Sequence, residues 1–227
     1  EEIARDLIKY YNVCPDTIRV IPNSIDTDYF RPRDTKKDQL GLDPEENILL
    51  FVGNVFRLKG VYDLFDALSK VLIKEPKTRL IMIGSIHKDE QAFLFNYIKE
   101  RNLENNILFL NQMSQDELVK YYSVADVFVF PSLYEGSPRA VQEAIACGCP
   151  VVATNIAGIQ ILDKNQAYIS FVSVKSPNEI SERVLELIRE PSLRKEKSTK
   201  GVHHVKREFS NQSVATQIIE FYKEISQ

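Results

Sequence analysis

Residues that bind metals or form disulfides are scarce in this sequence. The three cysteines, Cys14, Cys147 and Cys149, are odd in number and lack the spacing of a zinc site. They are expected to be reduced, buried thiols of a cytosolic protein. The three histidines, His87, His203 and His204, complete no ligand pattern. No apolar run reaches the roughly eighteen residues that suggest a membrane span, and no secretory leader is visible. Net charge is only −3, which excludes the strongly basic balance of a nucleic-acid binder. No repeat or low-complexity segment stands out. What remains is a chain of 227 residues with an apolar share of 44 %, enough for one large globular domain.

That apolar share is laid out in alternation. Short runs predict strands at 48–52, 79–83, 106–110, 125–130 and 150–153, with a further short one at 168–174. Helical spacing falls between them, over 61–73, 90–101, 115–123 and 138–147, with Ser114 as a cap. Continuous apolar strands separated by helices predict a parallel sheet covered on both faces. The expected fold is α/β, a Rossmann-like doubly wound domain over 34–190. Residues 1–33 lead into it by a helix (1–11), a short strand (17–21) and a turn. Helices over 179–189, 191–209 and 212–226 follow, so 191–227 is set apart as a C-terminal helical unit. Arg194, Lys195, Lys197, Lys200, Lys206 and Arg207 form a basic run. It reads first as a solvated helix face and second as a contact for an anionic membrane surface.

The chemistry concentrates in one strand-to-helix turn, Pro131 to Glu143. Ser137 suits an N-cap and Pro138 the first helical position. Such turns lie at the carboxyl ends of parallel strands, where ligands bind. The helix start offers free N–H groups and a positive dipole end, which suit a phosphate. Glu135 and Glu143 stand eight positions apart, and a carboxylate accepts side by side from vicinal sugar hydroxyls. The first strand runs into Gly53-Asn54-Val55-Phe56-Arg57-Leu58-Lys59-Gly60, where two cations near a glycine suit a diphosphate.

The stretch from Ala125-Asp126 through Gly158 resembles the GT-B-fold, family 4, retaining glycosyltransferases that use nucleotide sugars. The match includes their Glu-(seven residues)-Glu motif and the continuation Ala144 to Thr154. Ile21-Pro22-Asn23-Ser24-Ile25-Asp26, followed by Phe30, is similar to the family's entry into its C-terminal domain. The resemblance implies the donor-binding half of a GT-B fold. It implies transfer of a sugar from a nucleoside diphosphate to an acceptor hydroxyl with retention, and no metal or other cofactor. It places Glu135 at the transferred sugar as the catalytic carboxylate and Glu143 on the ribose. Lys59 with Gly60 would grip the diphosphate, Arg57 would supply a second charge, and Gly53 and Gly84 would let the backbone approach. Met113 lies in the loop that would hold the base, and Gly136, Ser137, Arg139 and Ala140 line the helix start. Three positions depart from the pattern. Ser24 replaces a glycine, which would be costly at positive φ. Asn54 stands where arginine is frequent, and Ser137-Pro138 replaces Phe-Gly.

The implied partners are a nucleotide sugar, an acceptor glycan, lipid or small molecule, and a missing N-terminal domain; nucleic acid is not among them. The chain is expected to be a fragment, inactive or nearly so alone, and cytoplasmic, with the inner face of the membrane as its second setting. Two other readings share the pocket: a non-catalytic nucleotide-sugar binding module, and an epimerase of similar fold.

Overall fold

The computed structural model describes residues 2–226; Glu1, Gln227 and the side chains of Glu2 and Ile3 lie outside the described residues. Expectations resting on Glu1 and on the Ile3 side chain therefore lie outside as well. Six strands form one sheet: β1 (Asn47–Val52), β2 (Thr78–Ile83), β3 (Ile107–Leu110), β4 (Val127–Phe130), β5 (Val151–Thr154) and β6 (Ile169–Val172). Every pairing is parallel, and the order is β3-β2-β1-β4-β5-β6. The doubly wound α/β expectation is thus met. The order reverses between β1 and β4, where Leu49 lies opposite Val127 and Leu50 opposite Phe128.

These strands form at the centre because they have almost no polar side chain to keep wet. Ile48, Leu49, Leu50, Phe51, Val127, Phe128 and Val129 are all buried. Burying each such side chain is worth about 1.5–3 kcal/mol. Helices cover both faces: α1 (Glu2–Tyr11) precedes the sheet, and α2 (Val61–Lys74), α3 (Gln91–Glu100), α4 (Gln115–Val124), α5 (Arg139–Ala146) and α6 (Ala157–Gln160) connect its strands. Three more follow β6, namely α7 (Pro177–Arg189), α8 (Pro191–Glu208) and α9 (Asn211–Ile225). α7 packs on α2 at one face, and α4 and α8 pack on α5 at the other. α4 starts as expected: Ser114 Oγ accepts from Glu117 N, and Ser114 N donates to the Glu117 carboxylate. This reciprocal arrangement satisfies two otherwise free donors.

Asp126, just before β4, ties three elements together. Its carboxylate accepts from Ile48 N at 2.9 Å, Lys37 Nζ at 2.8 Å and Arg194 Nη1 at 2.6 Å. Arg194 therefore points inward. Lys200 pairs with Glu196 and Arg207 with Glu208, while burial holds the Lys197 pKa down. Lys195, Lys200, Lys206 and Arg207 are exposed, as a solvated face requires, while Arg194 and Lys197 are half-buried. No helix among the described residues is long and apolar enough to cross a membrane.

Three local expectations are corrected. Residues 17–21 are not a strand: Pro15–Thr17 is a 3-10 turn, and the extended segment after it has no ladder partner. The sheet edges, β3 and β6, lie elsewhere, and a β-prone segment without an edge gains no ladder. Ser24 avoids positive φ, so the missing glycine causes no strain. Cys14 is exposed, whereas Cys147 and Cys149 are buried free thiols as expected.

Candidate functional site

The sequence order alone cannot say that Lys59 and Glu135, which follow β1 and β4, are neighbours. The strand order makes them so. Lys59 Nζ lies 2.5 Å from Glu135 Oε1, across the point where the sheet reverses. Ser132 Oγ donates to the same oxygen at 2.8 Å. The Ser132 carbonyl is held in turn by Thr154 Oγ1 at 2.5 Å. Glu135 Oε2 has no protein partner among the described residues. The side chains of the pair are only 22 % and 12 % exposed, so their attraction is less screened than in water.

Two glycines set this loop in place. A Cβ on Gly60, which sits at φ +68°, would lie 1.9 Å from the Pro131 carbonyl oxygen. A Cβ on Gly158 would lie 2.1 Å from the Glu135 carbonyl oxygen. The turn carrying Glu135 is thus pressed between two backbones that only glycine permits so close.

The start of α5 corrects one expectation. Pro138, at φ −74° and ψ 110°, is the N-cap, and Ser137 is not. The proline carbonyl accepts from Gln142 N at 3.4 Å. At ψ 110° the proline itself is extended, so the helix begins only at Arg139. Ser137 Oγ is buried without a partner. No side chain caps the helix, and its first amides, at Arg139 and Ala140, remain open to a ligand. Asn23 reaches this turn, donating to the Ser137 carbonyl at 3.5 Å and accepting from Gln142 Nε2 at 2.9 Å.

Glu143 lies one turn into α5 and lines a cleft of about 210 Å³ with Arg139, Gln142, Gln115, Asp26 and Tyr29. Tyr122 Oη donates to Glu143 Oε2 at 3.1 Å. Burial raises the Glu143 pKa above the usual carboxylate value, while the Tyr122 hydrogen bond and the Arg139 charge pull the other way. Burial likewise drives the Tyr122 phenol well above its usual value and the Cys147 thiol, beneath Glu143, to about 12.

The remaining expected residues fall differently. Arg57 is turned from Lys59: its guanidinium lies 5.5 Å from the Tyr62 ring centre and 5.6 Å from that of Phe93. Gly84 packs against Gly53, whose carbonyl oxygen would sit 2.2 Å from a Cβ there. Close backbone packing therefore accounts for Gly84 without a ligand. Met113 rests on the core from the loop after β3. Gly136 lines a small cavity of about 90 Å³ beside Glu135, with Ser137, Asn23 and Gly158. A larger cavity of about 690 Å³ lies apart, between α8 and the loop before β6. Sequence reasoning missed Ser132, Thr154 and Tyr122. A buried hydroxyl directly after an apolar strand was the available signal for Ser132.

The reversed six-strand order places the chain in the Rossmann-like class that forms one half of GT-B enzymes. Within that class, it belongs to the group 1 glycosyltransferases, whose family pattern, Glycosyl transferases group 1, matches residues 32–204. A D-inositol 3-phosphate glycosyltransferase of Segniliparus rotundus is 29 % identical over 224 residues, covering 97 % of this chain and 50 % of the relative. Sucrose-phosphate synthase from Thermosynechococcus elongatus superposes with a TM-score of 0.88 at 25 % identity, covering 99 % of this chain and 56 % of that one. An Anabaena protein, HepE, solved with UDP and glucose, superposes at 0.82 with 20 % identity, covering 92 % and 58 %. This last likeness concerns the fold. The chain spans about half the length of these relatives.

Proposed function

We propose that the chain is the donor-binding half of a retaining, metal-independent glycosyltransferase that uses a nucleoside-diphosphate sugar. The observation that carries this reading is the Lys59–Glu135 contact across the reversal of the sheet. Lys59 and the open amides of α5 take the diphosphate, and Glu143 accepts from the ribose hydroxyls. Glu135 faces the transferred sugar with its second oxygen. When the glycosidic bond breaks, negative charge grows on the leaving diphosphate and positive charge on the sugar. Lys59 and the amides stabilise the first, and the Glu135 carboxylate favours the second. Arg57, held over two rings, is left out of the phosphate grip. The Anabaena neighbour solved with UDP supports a uridine nucleotide as the first donor to try.

The acceptor, whether glycan, lipid or small molecule, would meet this half from a second domain. The reading includes a cytoplasmic setting, and a chain that transfers little sugar by itself. Turnover of a nucleotide sugar by these 227 residues alone would refute the last point.

Glu143→Ala tests the ribose contact. Isothermal titration of the domain with UDP should show affinity lower by about tenfold or more, since a hydrogen bond to a charged group is worth about 1.5–3 kcal/mol. Unchanged affinity would remove Glu143 from the site.

A further inference from the structure

We infer that Tyr122 is a positioning residue of the nucleotide site, its buried hydroxyl fixing one oxygen of Glu143 so that the other stands ready to accept from a ribose. The inference rests on the proposed ribose role of Glu143. Tyr122 is fully buried, and its ring meets Phe128 edge-on at 5.7 Å between centres. Phenylalanine would fill that space equally well, so packing does not explain the hydroxyl. A buried hydroxyl is costly unless bonded, and its bond is to Glu143 Oε2 at 3.1 Å. Glu143 Oε1 has no protein partner among the described residues. A glutamate side chain has considerable rotamer freedom to lose when a ligand orders it. Tyr122 removes much of that cost beforehand by holding the carboxylate at the wall of the cleft.

The same bond works against burial in the protonation of the site. Glu143 faces Tyr122 from α4, Arg139 and Cys147 from its own helix, and Asp26 and Tyr29 from the turn at 24–30. Burial favours the protonated carboxyl, and the phenol opposes it. Without the phenol the carboxylate would take up its proton at a higher pH, and ribose binding would be lost at a higher pH as the solution is acidified.

The test uses this domain, with UDP, GDP and ADP and their 2′-deoxy counterparts as calorimetric probes. The tightest-binding pair is then followed in three variants. The unaltered protein should prefer the ribonucleotide by about tenfold, the value of one good hydrogen bond. Tyr122→Phe should weaken the ribonucleotide by about fivefold to tenfold and leave the deoxynucleotide unchanged, so that the preference collapses. Its binding should also fall off at a higher pH. Glu143→Ala should abolish the preference. Glu143→Asp, which keeps the charge but withdraws it from Tyr122, should reduce it too, and serves if Tyr122→Phe folds poorly. An intact preference and pH profile in Tyr122→Phe, with the preference lost in Glu143→Ala, would overturn the positioning role alone. An intact preference in Glu143→Ala, or no binding of any probe, would overturn the ribose reading on which it stands.

Discussion

Lys59→Ala should bind UDP about a hundredfold more weakly and uridine no differently. The lysine sits at the reversal of the sheet, beside the open start of α5, where it offers its positive charge to the oxygens of a diphosphate. A charge-assisted hydrogen bond to an anion is worth about 2–3 kcal/mol, and about 1.4 kcal/mol is tenfold in affinity. The loss should therefore reside in the phosphates. Removing the ammonium also leaves Glu135, mostly buried, with only Ser132 to donate to it. A modest fall in melting temperature should accompany the loss. Paired titrations with UDP and uridine decide the matter: equal losses would show that Lys59 does not meet phosphate.

The second large effect is expected from Gly60→Ala. Here φ is +68°, so any side chain is strained, and the added carbon would lie 1.9 Å from the Pro131 oxygen. Backbone strain of this kind costs about 1 kcal/mol or more. The clash with a backbone atom adds to it, because a loop locked between β4 and α5 has nowhere to retreat. We expect a total of about 3–5 kcal/mol, at the severe end for one substitution, with nucleotide binding lost along with stability. Urea unfolding measures the first and calorimetry the second. A protein of normal stability would mean that the 131–137 loop can shift, and the rigid placement of Glu135 would have to be given up.

Most of the fold was legible in the sequence because the strands are apolar throughout and the helices are amphipathic, so period and length agree. The strand order was not. Nothing local in Leu50 or Phe128 announces that they lie side by side, yet that pairing brings Lys59 to Glu135. The two glutamates and the lysine were legible through their setting, a turn after an apolar strand and before a helix. Arg57 lies beside the aromatic rings of Tyr62 and Phe93, where a cation finds attraction, and spacing along the chain does not reveal those rings. Ser137 was misplaced because Pro138, though suited to a first helical position, takes an extended ψ of 110° and shifts the helix start by one residue. Tyr122 was invisible because a tyrosine in an apolar helix face looks like core.

The contact between Lys59 and Glu135 spans 76 positions of chain. It cannot exist until β4 has docked beside β1, and the chain between those two strands runs through β2 and β3. Local helices can form long before that, since pairings between distant strands are slow to assemble. Refolding followed by circular dichroism should therefore run ahead of refolding followed by nucleotide capture. The affinity of this crevice then serves as a clock for the final closure of the polypeptide.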